Sequence, residues 1–283
     1  MDVRRLTDRA SISSYTGDES SSFEGTAEAV YLPRTPDEVA AVLREARAAG
    51  RSVTLSGAGT SITGSRVPHG GIVVSTERLR DAGAVPLPGA DAHSAAAGHA
   101  APPTAAAGAN PAGADSADAK RPAEDWQGRG GADYTLLISS DCTRAIVPAG
   151  IRLFELDQAL AGDDVFYPPD PTETTAMLGG TIATNAGGAR SYRYGATRDW
   201  VEALLVIPVG GDPVWVRRGE WVARDGALPL PAGFPVPRIP VPDAIRMPKT
   251  KHAAGLYLQR NLDLVDLLVG SEGILAAVAA AEV

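Results

Sequence analysis

Directly after a short apolar strand, Ser52-Val53-Thr54-Leu55, the chain runs Ser56-Gly57-Ala58-Gly59-Thr60-Ser61-Ile62-Thr63-Gly64-Ser65. Glycine admits positive φ and close backbone approach, so successive N–H groups can converge on a phosphate, and Thr60 and Ser61 add hydroxyl donors. The run predicts an anion-holding loop, with a diphosphate-bearing cofactor as its first candidate ligand. Taken alone, the same pattern also describes an ordinary turn after a strand. A P-loop is excluded, because it needs Gly-Lys-Ser/Thr and the first lysine of the chain is Lys120. The dinucleotide fingerprint fails on context: Gly57 and Gly59 fit, but the residues after Gly64, Val67 to Val74, read as a turn and a strand rather than a helix.

The residues around this loop predict how it is delivered. Thr35-Pro36-Asp37-Glu38 is a helix start, with Thr35 as cap and Pro36 in the first turn, and Gly50 ends the helix. Val39, Val42, Leu43 and Ala46 share one face, which packs on the strands Val30-Tyr31-Leu32 and Val53-Thr54-Leu55. The resulting strand–helix–strand unit places the glycine loop at the end of its second strand.

Three further blocks follow. Tyr167-Pro168-Pro169-Asp170-Pro171-Thr172-Glu173-Thr174-Thr175 precedes Met177-Leu178-Gly179-Gly180-Thr181-Ile182-Ala183-Thr184-Asn185-Ala186-Gly187-Gly188 and Tyr194-Gly195-Ala196-Thr197-Arg198-Asp199. Gly270-Ser271-Glu272-Gly273-Ile274-Leu275 stands near the C-terminus. The glycine pairs flank small residues, so the backbone there can lie against a planar ring or a diphosphate; taken singly, each pair equally describes a bulge or bend. In this order the blocks resemble the FAD-binding domain of the vanillyl-alcohol oxidase superfamily. The branch they resemble holds D-lactate dehydrogenases, the glycolate oxidase flavin subunit and alkyldihydroxyacetonephosphate synthase. The resemblance runs from about Tyr31 to Val283 with one interruption.

That resemblance implies an α+β fold in which two subdomains sandwich FAD. It also implies the site. Ser56, Gly57, Ala58, Gly59, Thr60 and Ser61 wrap the diphosphate, and Gly64 and Ser65 continue the contact. Asp170, Pro171, Thr172 and Thr175, with Gly179, Gly180, Ala183, Thr184, Asn185, Ala186, Gly187 and Gly188, line the flavin and its ribityl chain. Glu272, Gly273 and Ile274 close over the cofactor. Ser56 departs from the arginine common at the loop's start, and Ala276 puts a methyl group where the family has glycine. Relatives that attach FAD covalently through this loop carry histidine where this chain has Thr60, so the resemblance implies dissociable FAD.

Composition limits the alternatives. A net charge of −8 argues against nucleic acid or an anionic membrane as main partner. Cys142 is the single cysteine, so no internal disulfide forms, and it reads as a buried structural thiol. His69, His93, His99 and His252 make no metal-ligand pattern, and no metal is assigned. Neither a leader's apolar segment nor a run of about 18 apolar residues occurs, which predicts no transmembrane segment and a cytoplasmic location.

Between Ala82 and Gly131, 18 of 50 residues are Ala, 8 Gly and 6 Pro, too little apolar bulk for a core. Residues 82–131 therefore read as a disordered low-complexity insertion between a first subdomain, 1–81, and a second, 132–283. In the second, Tyr134 to Ile138 and Ala145 to Gly150 read as strands. Leu153 to Leu160 reads as an amphipathic helix with Glu155 and Asp157 facing solvent. Val201 to Val209 and Pro213 to Val216 form a hairpin, and Leu262 to Leu268 a short helix. Leu228 to Pro248, with 7 prolines, reads as an extended loop.

By resemblance, the function is oxidation of a 2-hydroxy acid of the D-lactate or glycolate type, with hydride passing to the flavin. No catalytic residue is assigned; Arg190, Arg193 and Arg198 read as surface arginines before carboxylate ligands. Family members continue into a cap domain that contacts substrate, so a second subunit or separate cap-domain chain is an expected partner. Two other readings stay open: a non-catalytic FAD-binding remnant or interaction module, and a flavin enzyme of the alkyldihydroxyacetonephosphate synthase or enolpyruvyl reductase kind.

Overall fold

A computed structural model of the chain describes residues 3–88, 125–242, 246–248, 253 and 255–283. It opens with β1 (Arg4–Leu6), α1 (Arg9–Ile12), β2 (Ala29–Leu32), α2 (Pro36–Ala48), β3 (Val53–Ser56) and β4 (Ile72–Ser75). Among the described residues these strands make a four-stranded sheet in the order β1-β2-β4-β3, with β2, β4 and β3 parallel and β1 antiparallel at the edge. The strand–helix–strand unit forms as its spacing predicts, but β4 lies between the two strands.

α2 begins where its capping residues place it. The Thr35 hydroxyl accepts from the Glu38 N–H at 3.2 Å, satisfying a donor that the first helical turn would leave unpaired, and the Glu38 carboxylate accepts from the Arg34 N–H, just before the cap, at 2.6 Å.

The second half contains β5 (Trp126–Gly130), β6 (Thr135–Ser139), β7 (Ala145–Pro148), α3 (Leu153–Leu160), α4 (Leu178–Thr184), α5 (Ser191–Tyr194), β8 (Ala203–Ile207), β9 (Val214–Arg217), β10 (Ala227–Pro229), β11 (Arg238–Pro240), α6 (Leu264–Leu268) and β12 (Ala277–Glu282). Among the described residues six of these strands form an antiparallel sheet in the order β5-β6-β7-β12-β8-β9. The last strand in sequence, β12, lies inside it, between β7 and β8.

Side-chain alternation then fixes the layers. Val30 and Leu32 of β2 pack toward Ile12 of α1, whereas Ala29 and Tyr31 join Val39, Val42, Leu43 and Ala46 of α2. The same cluster takes Leu205 and Ile207 of β8 and Ala279 of β12, so α2 is buried between the two sheets. Leu204 and Val206 point to the opposite face, against α3, α4 and α6. Each fully buried aliphatic side chain contributes about 1.5–3 kcal/mol.

Several expectations change. Ala82–Ala84 forms a 3-10 turn and Trp126–Gly130 pairs with β6, so both edges of the segment 82–131 carry regular structure; its residues 89–124 lie outside the described residues, as do His93, His99 and His252. Within the proline-rich stretch, β10 and β11 make a two-stranded ribbon, with Pro229 and Pro240 on strands that have no second neighbour among the described residues. Cys142 is half-buried in a turn at φ +55°, not a core thiol. Glu155 is buried rather than solvent-facing: its carboxylate takes a fork from Arg80 at 2.8 and 3.1 Å and the Arg152 N–H at 2.9 Å.

Two tests follow from these ion pairs. Glu282 at the end of β12 is 0 % exposed and bonds Arg144 at 3.1 Å and Arg217 at 2.8 Å. Truncating it leaves guanidinium groups without their carboxylate, so Glu282→Ala is expected to cost about 3 kcal/mol in urea unfolding, and Glu282→Gln less. At Glu155, burial pushes the carboxyl up, but the Arg80 fork and the Arg152 N–H outweigh it and hold it below the ordinary value. Its contribution is therefore present above the ordinary glutamate range and lost as pH falls through the lowered value. Glu155→Gln is expected to flatten the acid limb of the melting-temperature profile; an acid limb as steep as wild type would contradict this.

Candidate functional site

The four sequence blocks meet in space through identifiable contacts. Backbone N–H groups of Gly270 and Glu272 donate to the carbonyls of Ile182 and Ala183, at 2.9 and 2.8 Å, and so tie the last block to the end of α4. Gly273, at φ +76°, sits so close to β3 that an added Cβ would stand 2.9 Å from the Leu55 side chain. Gly188 rests on the Asp170 carbonyl, where a Cβ would fall 1.4 Å from the oxygen, so no other residue fits. Leu178 N–H donates to the Ile151 carbonyl at 2.8 Å and Gly179 N–H to that of Ala149 at 2.9 Å, docking the start of α4 on the end of β7.

Between β3 and α4 this leaves a cleft of about 260 Å³. One wall is the glycine loop. The N–H groups of Gly57, Ala58, Gly59, Thr60 and Ser61 donate no hydrogen bond to any described residue. Opposite them, a Cβ at Gly57 would come within 3.8 Å of the Gly180 Cα, and a Cβ at Gly180 would meet nothing within 4 Å. The cleft is thus bounded by bare backbone on both sides, with unused donors on one of them.

Arg66 stands behind the loop. Its guanidinium donates to the Ser56 hydroxyl at 3.0 Å, the Ser14 carbonyl at 3.2 Å and the Gly59 carbonyl at 3.5 Å, while Nε is buried with no partner. Burial pulls its pKa below the ordinary guanidinium value, against the opposing charge of Asp18. Asp18 itself braces the loop, accepting from the Gly64 N–H at 2.8 Å.

Ser56 to Ser61, Ser65, Pro171, Gly179, Gly180, Ala183, Thr184, Ala186, Glu272 and Gly273 all line the cleft. The other expected residues do not. Gly64, at φ +77°, shapes the loop against the Phe23 ring. Asp170 pairs with Arg190 at 3.4 Å, and Thr172 and Thr175 are exposed, the latter bonding Glu173 at 2.5 Å. Asn185 ends α4 in the left-handed region at φ +47° and accepts from the Arg198 N–H at 3.0 Å. Gly187 is half-buried, Gly188 belongs to the Asp170 contact, and Ile274 is exposed.

Glu173, Met177 and Ser271, which stand inside the sequence blocks, line the cleft as well, and so do Arg66 and Thr76, for which adjacency of Arg66 to Ser65 is the one signal in the sequence. Ala276 is at the wall as well, so its methyl group faces the cleft region. Arg190 and Arg193 are exposed as expected, but Arg198 is half-buried. It donates to the Asp266 carbonyl and lies 4.4 Å from the Tyr257 ring centroid, a brace behind the site.

A family model described as "FAD binding domain" matches residues 27–109 and 135–217, more than half of the chain. The chain belongs to the FAD binding domain family. The match stops short of the last block, Gly270 to Ile274. The chain is 29% identical over 193 residues to a D-lactate dehydrogenase of Archaeoglobus fulgidus, covering 65% of this chain and 31% of that one. It is 37% identical over 93 residues to glycolate oxidase subunit GlcD of Bacillus subtilis, covering 32% and 19%. A solved alkyldihydroxyacetonephosphate synthase is similar in fold, with a TM-score of 0.57 at 15% identity, over 98% of this chain and 37% of the other. The chain thus spans about a third of the A. fulgidus relative's length.

FAD fits what the site offers. The row of unused N–H groups suits a diphosphate, Arg66 adds positive charge without an ion-pair partner among the described residues, and the open space at Gly180 admits a flat group. Gly180→Ala tests this. A Cβ there relieves the glycine penalty of about 1 kcal/mol in a helix yet protrudes into the cleft. The expected result is unchanged or raised thermal stability with FAD affinity weakened by about tenfold, and a larger loss in Gly180→Val. Equal FAD affinity in all three proteins would remove Gly180 from the cofactor's wall.

Proposed function

We propose that this chain is the flavin-holding part of an FAD-dependent oxidoreductase acting on a 2-hydroxy acid of the D-lactate or glycolate type. The observation that carries the reading is the row of unengaged N–H groups from Gly57 to Ser61 facing the side-chain-free surface of Gly180. Similarity to the dehydrogenase and oxidase subunit above supports the substrate class. Bound FAD supplies a two-electron acceptor able to take a hydride.

The protein's residues bind and orient. Gly57 to Ser61 and Arg66 hold the diphosphate; Pro171, Gly179, Gly180, Ala183 and Thr184 bound the flavin and ribityl chain, and Glu272 and Gly273 close the remaining side. Thr60 has no nucleophilic nitrogen, so attachment is non-covalent. Among the carboxylates lining the cleft, Glu173 is held below its ordinary pKa by the Thr175 hydroxyl and N–H, which makes it a weak proton acceptor. No general base is assigned among the described residues of the cleft.

The test is spectroscopic. The purified chain is loaded with FAD, desalted, and its visible spectrum followed as D-lactate or glycolate is added anaerobically. Bleaching of the bound flavin by either acid is the expected outcome. A retained flavin that neither acid bleaches would remove the substrate assignment, and a colourless protein after loading would overturn the flavin assignment. Acid precipitation should leave the flavin in the supernatant; flavin in the pellet would refute non-covalent attachment.

A further inference from the structure

A second cleft, of about 460 Å³, lies beside the first and shares Gly57, Ala58, Arg66 and Met177 with it as a common wall. Its own lining brings together residues from four separate stretches of chain, among them Arg78 and Arg80 after β4 and Arg152 before α3. In a chain of net charge −8, that concentration of guanidinium groups is a local reversal of sign. The acidic groups beside it cancel it only in part. Arg66, Arg78, Arg80 and Arg152 stand against Glu77 and Asp133 in the lining, and Arg80 is paired by its fork with Glu155, so the lining keeps a small positive excess carried by Arg78 and Arg152. Asp133 accepts from Arg80 through its backbone carbonyl, at 3.3 Å.

Arg78 is the residue without an explanation in the fold. It is half-buried, and its side chain makes no hydrogen bond or ion pair with any described residue. Burial, and after it the like charges of Arg34 and Arg4, pull its pKa below the ordinary guanidinium value, although Glu38 and Glu77 oppose this. A half-buried cation near two like charges gains from an oxyanion, which a guanidinium can hold through two parallel N–H···O bonds. The exposed Arg152 side chain likewise has no hydrogen-bonding partner among the described residues.

We propose that this second cleft is a binding site, separate from the flavin cleft, for the phosphate or carboxylate group of a small molecule, held by Arg78 and Arg152 with Arg66 at its back wall. The two anion types present the same planar or tripodal acceptors to a guanidinium fork, so the experiment decides between them. The site is argued from Arg78 and Arg152, which line the second cleft and not the first, and stands whether or not the chain takes up FAD.

The full chain is titrated calorimetrically at low ionic strength with inorganic phosphate and, separately, with malonate, both without FAD and after FAD loading. Saturable one-site binding of at least one anion is expected, persisting in the FAD-loaded protein. Arg78→Gln and Arg152→Gln are each expected to weaken it by about tenfold or more, with melting temperatures unchanged. Phosphate binding alone identifies a phosphorylated ligand, malonate binding alone a carboxylic acid. If Arg78→Gln lowers the melting temperature, Arg152→Gln, on an exposed side chain, decides. Absence of saturable binding by both anions, binding indifferent to both substitutions, or its complete loss on FAD loading would each overturn a separate anion site.

Discussion

Burial of α2 between the two sheets is the constraint on which the rest of the structure depends. Its apolar stripe is shared: Val39, Val42, Leu43 and Ala46 meet β2 and β4 on one side and β8 and β12 on the other. A close-packed interior tolerates little shear, so this single helix sets where the C-terminal end of β3 stands relative to β7. The glycine loop leaves from the first of those ends and α4 docks on the second. The cleft is consequently a product of core packing between halves that are separated in sequence.

Local hydrogen bonds then set its width. The last block bonds the end of α4 through Gly270 and Glu272 and touches Leu55 of β3 through Gly273, bridging the two walls. Behind it, Arg198, Arg218 and Asp266 are linked, with Arg218 bonding the Asp266 carboxylate at 2.8 Å and the Arg198 carbonyl at 3.0 Å. These are positioning contacts. They hold backbone in place so that the loop's N–H groups remain unpaired at the cleft, a state that a less constrained loop would relieve by bonding to itself.

The two clefts share a wall but differ in character. The first is bounded by bare backbone and small side chains, which suits a large flat cofactor whose shape must be accommodated. The second is lined by charged side chains whose long stems can adjust, which suits recognition of a small charged group. Arg66 belongs to both linings, so its charge acts on either occupant.

Much of the fold is legible in the sequence. Thr35-Pro36 with its i, i+3, i+4 apolar spacing determined α2, Leu153, Leu156 and Leu160 determined α3, and the Gly210-Gly211 turn determined the β8–β9 hairpin, because caps, periodicity and turn residues act over a few neighbours. The glycine and small-residue blocks marked most of the cleft wall for the same reason: close backbone approach demands particular residue types locally. Tertiary structure alone decided the placement of β12 inside the larger sheet, the turning of Glu155 inward onto Arg80, and the pairing of short proline-bearing strands in a stretch that reads as loop. It also decided that Asp170, Thr172 and Thr175 stand outside the cleft's lining, and that Arg66, Arg78 and Arg152, dispersed over 87 residues of chain, stand around one cavity. Those outcomes depend on partners remote in sequence, and charge carries no periodicity by which a sequence could announce them.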